Sequence, residues 1–288
     1  MNIYLQDIGK SACTGHECGL LINDRSASYS YISSLRSVFR LHNETVNIWS
    51  HLFGTAYFLV GTVRFNQRHS HNSESAQSPS TYSCDKRIVS LYCASVAVCF
   101  ALSAIFHTLS DQSYRLHIFS NKLDHLGIVV VMWGTGVSNM HFALRCEPPY
   151  VKSLYVVTLT LAASLCAMVT LRSRFRLPRY RTDRLYLYSF LGAVLFLPPM
   201  WHAWKSLGAL HALNKAMGLQ SFIGLTSINS LGGVLYATRV PERWFPGALD
   251  LAGHSHNWMH VLTVVGAMVR LQGLLYVYED SFKIKVCN

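Results

Sequence analysis

Two histidines four residues apart open the last apolar segment of the chain. His256 and His260 lie in HSHNWMH, residues 254–260, directly ahead of VLTVVGAMVRLQGLLYVY. Residues at i and i+4 share one face of a helix, so the pair could offer two imidazole nitrogens to a zinc ion. In a soluble protein this spacing alone would favour two surface histidines over a metal pair. His254 diverges from that face, and we expect it in a loop or at the helix cap.

A third imidazole, that of His107, ends an earlier apolar run. It follows Ser103 by four residues, so both side chains project from one helix face. Three histidines with an open fourth position are typical of catalytic zinc sites rather than structural ones. Asp124 begins the next run, where its carboxylate could hold a water or act as a general base, with Ser103 helping to position it. The simpler alternative is a buried Asp124–His107 hydrogen bond that only joins two helices.

A further polar cluster, HNETVNIWSH, stands at residues 42–51. Glu44, Asn47 and His51 step by three and four residues, which places them on one helix face. Glu44 also suits the positive end of a helix dipole, because it lies close to a helix start. We expect these three residues to form a supporting hydrogen-bond network beneath the site rather than to ligate the metal.

The segments that carry these residues have the composition of membrane helices. Of the 288 residues, 51% are hydrophobic and 14% are charged, whereas soluble domains carry about 25% charged residues. A spanning helix needs roughly 20 mostly apolar residues. The sequence therefore predicts an all-α bundle of seven transmembrane helices, at about 46–64, 88–109, 124–144, 151–171, 185–205, 218–238 and 257–277.

The order of the seven runs predicts where the polar clusters lie. Because successive spans alternate in direction, all four clusters fall at one membrane face. The loop RSRFRLPRYRTDR carries six arginines and lies on that same side, and arginine collects on the cytoplasmic side of short loops. We therefore expect a cytosolic N-terminus, an outer C-terminus and a site near the cytosolic face. The net charge of +11 is dispersed over loops, which argues against a nucleic-acid partner.

The domain organisation follows from these spans. Residues 1–44 lack the apolar stretch of a signal peptide and are predicted to be a short cytosolic segment. Residues 45–278 form the seven-helix domain and residues 279–288 a tail. Pro198-Pro199 predicts a kink in the fifth span. Cys84 and Cys146 would share the outer side, which permits a disulfide between them.

Four motifs give the chain a family resemblance: HNETVNIWSHLFG, SAIFHTLSDQS, KLDHLGI and HSHNWMHVLTVVG, in this order between about residues 40 and 277. They resemble the progestin and adipoQ receptor family, which includes adiponectin receptors, fungal zinc-homeostasis homologues and bacterial haemolysin III-type proteins. The resemblance is best to a fungal-type homologue. It implies seven spans, a cytosolic N-terminus and a zinc ion near the cytosolic face. By motif, the zinc ligands fall on His107, His256 and His260, the water-holding aspartate on Asp124 and the motif serine on Ser103.

The resemblance also implies a function, because animal relatives are receptors linked to ceramide hydrolysis and fungal relatives affect lipid and zinc metabolism. Our leading hypothesis is a zinc-dependent amide hydrolase of a ceramide-like lipid in the bilayer, of the plasma membrane or an internal membrane. One alternative is a receptor for an extracellular ligand, in which zinc is structural. Another is a regulator of zinc homeostasis or a transporter. Transport is disfavoured because all candidate ligands lie at one membrane face.

Overall fold

The described part of the chain is entirely helical. The computed structural model describes residues 28–69, 79–172, 175 and 178–280, and within them it contains nine α-helices, one short 3-10 helix (Pro178–Tyr180) and no strand. The helices, in chain order, are α1 (Tyr31–Ser37), α2 (Thr45–Arg68), α3 (Pro79–Leu109), α4 (Tyr114–Ala143), α5 (Pro149–Thr170), α6 (Arg181–Leu207), α7 (Leu210–Met217), α8 (Leu219–Thr238) and α9 (Ser255–Asp280).

Four of these helices are long and apolar enough to cross a membrane: α3, α4, α5 and α9, with a mean hydropathy between 1.3 and 2.2. The apolar face of α5 is largely exposed, since Leu154, Leu161 and Leu165 all point away from the bundle. Such a surface is stable in lipid rather than in water. The chain is therefore a multi-pass helical membrane protein. Each of the seven predicted runs falls on a helix to within one residue, while seven crossings and their orientation remain predictions.

Close helix contacts bring the polar clusters together. A side chain at Gly134 of α4 would clash with Ser95 of α3, because its Cβ would overlap the serine Oγ. A Cβ on Gly127 would similarly lie 3.0 Å from the Cα of Cys99. Small residues let membrane helices approach closely, and here they bring α4 against α3. Tyr92 of α3 donates a hydrogen bond to the Ala267 carbonyl at 2.8 Å, which joins α3 to α9.

A buried arginine, Arg270, ties the middle of α9 to the turn between α7 and α8. Arg270 is fully buried, and its Nη1 donates to the carbonyl oxygens of Met217 (2.9 Å) and Gly218 (3.1 Å). Its Nη2 donates to Oδ1 of Asn139 at 2.7 Å. The guanidinium thus satisfies carbonyl groups at the C-terminus of α7, where a positive charge suits the helix dipole.

Several details differ from the expectations. Helix α6 includes Pro198 and Pro199 as one continuous helix, and the kink expected there stays a prediction. Cys84 is a free cysteine and Cys146 is disulfide-bonded, so the two cysteines, whose pairing the topology left open, do not pair with each other. Residues 31–37 of the predicted N-terminal segment form helix α1. Residues 1–27 and 281–288, which contain most of the predicted N-terminal segment and tail, lie outside the described residues.

Candidate metal centre

Three histidines from two helices converge at one end of the bundle. His107 comes from the last turn of α3, and His256 and His260 come from the first two turns of α9. One potential ligand atom of each ring lies within 4.8 Å of the others. His107 and His260 are 1% and 2% exposed, and His256 is partly buried. The structure thus brings together the three histidines that the spacing singled out.

Glu44 orients the first of these rings. Its Oε2 lies 2.6 Å from Nδ1 of His107 and also accepts a hydrogen bond of 2.7 Å from Nδ2 of Asn47. A carboxylate on one ring nitrogen fixes the tautomer and makes the other nitrogen a better metal ligand. Partial burial alone would raise the pKa of Glu44, but the His107 ring and its hydrogen bond hold that pKa below its usual range.

The network continues from α2 to α9. Nδ2 of Asn257 donates to Oδ1 of Asn47 at 2.8 Å, and Oδ1 of Asn257 accepts from the Gly253 backbone at 2.9 Å. His254 precedes α9, as expected, and its Nε2 lies 3.2 Å from the Asn43 carbonyl. The start of α9, and with it both histidines, is therefore held against the start of α2.

His51 packs beside the cluster. Its ring centroid lies 4.0 Å from that of His260, and its Nε2 lies 3.5 Å from Oγ1 of Thr263. Thr263 in turn donates to the His260 carbonyl at 2.8 Å. His51 thus contacts the ring of one candidate ligand and a threonine of the same helix.

Asp124 and Ser103 lie next to the histidines. The apolar run predicted that Asp124 lies in the first turn of its helix. Helix α4 begins earlier, at Tyr114, so Asp124 lies about three turns into it. The charge of Asp124 acts on His107 and His256, and its Oδ2 lies 3.8 Å from Nδ1 of His125. The Ser103 hydroxyl is buried and faces the Asp124 carboxylate.

A tyrosine backed by two arginines adjoins the cluster. The ring of Tyr236, in α8, lies 5.2 Å from that of His256. Nη2 of Arg184 lies 3.3 Å from the Tyr236 hydroxyl, and the guanidinium of Arg181 lies 4.5 Å from its ring centre. Sequence reasoning assigned these arginines to the topology of the loop. The only signal in the sequence for a positive potential beside the histidines is the high density of arginines in RSRFRLPRYRTDR.

Glu242 was also missed. Its carboxylate accepts hydrogen bonds from the backbone and hydroxyl of Ser255 at 2.7 and 2.5 Å, so it caps α9 from a preceding loop. Neither spacing nor periodicity links Glu242 to the site, and no signal in the sequence would have found it.

The donor set suits zinc. Zinc is commonly bound by three imidazole nitrogens, whereas magnesium and calcium prefer oxygen ligands. Nδ1 of His260 is buried and forms no hydrogen bond to the described residues. Buried polar atoms without partners are costly. A metal ion at this position would give such an atom a partner.

Comparisons with known proteins agree with the fold. The family of haemolysin-III related proteins matches residues 39–271, which include every residue of the cluster. The chain is 31% identical over 248 residues to an adiponectin receptor protein of Drosophila melanogaster, covering 85% of this chain and 53% of the relative. It is 31% identical over 252 residues to the ADIPOR-like receptor IZH2 of Saccharomyces cerevisiae, covering 87% and 76%.

A plant protein is similar over a longer stretch. Heptahelical transmembrane protein 3 of Arabidopsis thaliana is 27% identical over 301 aligned positions, covering 92% of this chain and 85% of the relative. The chain thus spans about half the length of the Drosophila relative but most of the yeast and plant relatives.

Proposed function

Because the chain belongs to the haemolysin-III related family, which its match over residues 39–271 and its similarity to adiponectin receptor proteins show, we propose that it is a zinc-dependent hydrolase of a ceramide-like membrane lipid. One observation carries the proposal: three histidines each offer a ligand atom within 4.8 Å of the other two, at one end of a membrane helix bundle and beside the partly buried carboxylate of Asp124. A lipid amide could enter such a site sideways between helices.

His107, His256 and His260 would hold the zinc ion through one nitrogen each. A zinc ion with an open fourth position lowers the pKa of water to about 7 and polarises a carbonyl oxygen. The donor set leaves that fourth position open, because Asp124 is not among the three clustered ligand groups.

Asp124 would carry the proton. In amide hydrolysis a bond forms between the water oxygen and the carbonyl carbon, and the carbon–nitrogen bond then breaks. Asp124 accepts the proton that the attacking water loses and returns it to the departing amine. Ser103 lies beside Asp124, and its hydroxyl would help to orient the water. The products are a fatty acid and an amine.

Other residues position this machinery. Glu44 holds His107 in one tautomer through the 2.6 Å contact, while Asn47 and Asn257 tie the start of α2 to the start of α9. Tyr236, with Arg181 and Arg184 behind it, presents positive potential beside His256. A negative charge that develops at the carbonyl would be stabilised by that potential.

The bundle would cross the membrane seven times with a cytosolic N-terminus, in the plasma membrane or an internal membrane. The name of the Arabidopsis relative, heptahelical transmembrane protein 3, supports the number of spans. The arginine-rich loop supports the orientation, since Arg181 and Arg184 lie at the end of the bundle that carries the histidines.

Metal content tests the proposal first. Zinc per chain should be measured by mass spectrometry in purified wild type, in His107→Ala and in His256→Ala/His260→Ala. We expect about one zinc in wild type and a loss in both variants, because one ion needs all three ligands. His211→Ala, a histidine of α7 outside the cluster, is the matched control and should keep its zinc. Folded wild type without zinc would end the hydrolase proposal.

The second candidate is a receptor in which zinc only holds α3 and α9 together. The names of the Drosophila and yeast relatives, which both call the protein a receptor, favour this second candidate. The two candidates differ at Asp124, which a structural zinc does not need and a hydrolase does. A transporter is less well supported, because the clustered ligands lie at one end of the bundle.

A further inference from the structure

The segment that precedes α2 lies at the metal-centre end of the bundle. In helix α1, the Ser34 hydroxyl donates to Oδ1 of Asp111 at 2.7 Å, and just before it the Ser28 backbone donates to the Asp111 carbonyl at 2.9 Å. Asp111 stands in the turn between α3 and α4, four residues after His107. The segment is thus fixed to the loop that follows a candidate zinc ligand.

This segment exposes large apolar side chains. Ile32 and Leu35 are 62% and 56% exposed, and Phe39 and Leu41 are 82% and 85% exposed. Four such residues within ten positions are unfavourable in water, and apolar patches of this kind mark interaction surfaces. We call residues 31–41 the collar.

The apolar surface of the collar continues onto a membrane helix. Trp49 of α2 donates from Nε1 to the Val38 carbonyl at 2.9 Å, and its ring packs edge-on against Phe39 with centroids 6.0 Å apart. Trp49 and Phe53, one turn further along α2, are themselves exposed at 45% and 59%. Tryptophan is enriched where a membrane helix meets the headgroup region. The patch therefore has no polar boundary between the collar and the lipid-facing surface of α2.

The charges of the collar match an anionic surface. Arg36 and Arg40 are exposed, and residues 28–43 contain no aspartate or glutamate. Ile32 and Leu35 lie about 60° apart around the helix axis, whereas Ser33 lies about 160° from Leu35. The collar thus has an apolar side and a polar side, as interfacial helices do, with basic residues available to lipid phosphates and carboxylates.

We propose that the collar, residues 31–41, docks on the anionic lipid surface of the membrane face that carries the metal centre. Ile32, Leu35 and Phe39 enter the boundary between headgroups and acyl chains, and Arg36 and Arg40 contact anionic headgroups. The proposal requires a bundle that spans the membrane and does not depend on hydrolysis or on zinc.

The depth of single positions tests the proposal. A fluorescent amino acid replaces either Leu35 or Ser33 in the full-length chain, and each protein is placed in nanodiscs that hold one chain, so that a second copy cannot cover the patch. The lipid is phosphatidylcholine, alone or mixed with phosphatidylserine, with a nitroxide near the carbonyl end of some acyl chains. We expect severalfold stronger quenching at position 35 than at position 33. Ser33 is the matched control because it is exposed on the same helix.

Charge is tested in the same system. Phosphatidylserine should strengthen the quenching at position 35, and Arg36→Gln/Arg40→Gln should abolish that increase. Arg87→Gln, which removes an exposed arginine on α3 near its other end, should leave the increase intact. Equal quenching at positions 33 and 35, or none at either, would overturn the docking of the collar. Quenching at position 35 that does not change when phosphatidylserine is added would overturn the preference of the collar for anionic lipid.

Discussion

Oε2 of Glu44 lies 2.6 Å from Nδ1 of His107, across the boundary between the first and second long helices of the bundle. The two residues are 63 positions apart in the chain, and the contact joins a predicted supporting residue to a predicted ligand. It places a negative charge behind an imidazole that points toward His256 and His260. Carboxylates placed in this way raise the basicity of metal-ligating histidines.

Glu44→Gln should weaken zinc binding without abolishing it. The amide keeps the shape of the side chain but removes the charge that supports His107, so we expect a loss of about 10–100-fold in zinc affinity. Competition with a fluorescent zinc chelator measures that affinity. Glu279→Gln, an exposed residue at the other end of α9, is the control and should bind zinc as wild type does. Equal affinity in both variants would show that Glu44 does not tune the site.

Asp124→Asn should separate catalysis from metal binding. We expect a zinc content close to wild type, because Asp124 is not one of the clustered ligand groups. Turnover of ceramide should fall by about 10²–10⁴-fold, the range that proton transfer contributes. Metal analysis and product release from purified protein measure the two effects. An Asp124→Asn variant that keeps both its zinc and its turnover would instead favour the receptor, in which zinc is structural.

Residues with a regular spacing were predictable from the sequence. His256 and His260 are i and i+4 on one helix, and the alternating direction of successive runs placed His107 at the same end. The prediction that was wrong, which put Asp124 in the first turn of its helix, depended on where that helix begins. The polar residues 114–123 continue α4 beyond its apolar run, so Asp124 lies deeper in its helix than expected. The Ser113 hydroxyl caps α4 by accepting a hydrogen bond from the Leu116 backbone at 3.3 Å, so a local cap, and not hydropathy, marks the helix start.

Contacts from loops and from single charges could not be predicted in the same way. Glu242 caps α9 from an irregular segment, where no periodicity constrains its side chain. Cys84 and Cys146 share a side of the predicted topology, but a shared side leaves open which cysteines pair, and Cys84 is free. Arg270 is an isolated charge in an apolar run, and the hydropathy pattern says nothing of the carbonyl groups that it meets.

Zinc should stabilise the bundle against heat. A ligand that binds only the folded state adds about 2.7 kcal/mol to the free energy of unfolding at a concentration 100 times its Kd. Chelator-treated wild type should therefore melt at a lower temperature and recover when zinc is added. His256→Ala/His260→Ala should show no shift with zinc, and magnesium should not substitute in either protein. Thermal unfolding in detergent, followed by tryptophan fluorescence, measures these shifts. A zinc-induced shift of wild-type size in the double variant would place the metal elsewhere.

Arg270→Met should loosen the turn between α7 and α8 while leaving the metal centre intact. The variant removes hydrogen bonds to Met217, Gly218 and Asn139 and leaves buried carbonyl groups unpaired, which costs about 1–3 kcal/mol for each such group. Arg270→Lys keeps the charge but lacks the planar fork of donors, so its melting temperature should lie between those of wild type and Arg270→Met. Zinc content should stay at the wild-type level in both variants, since ten residues of α9, about 15 Å, separate Arg270 from His260. Thermal unfolding together with limited proteolysis near Gly218, the residue between α7 and α8, measures the effect. If Arg270→Met melts as wild type does, then the buried guanidinium contributes no net stability, and the packing of α7 against α9 holds the turn by itself.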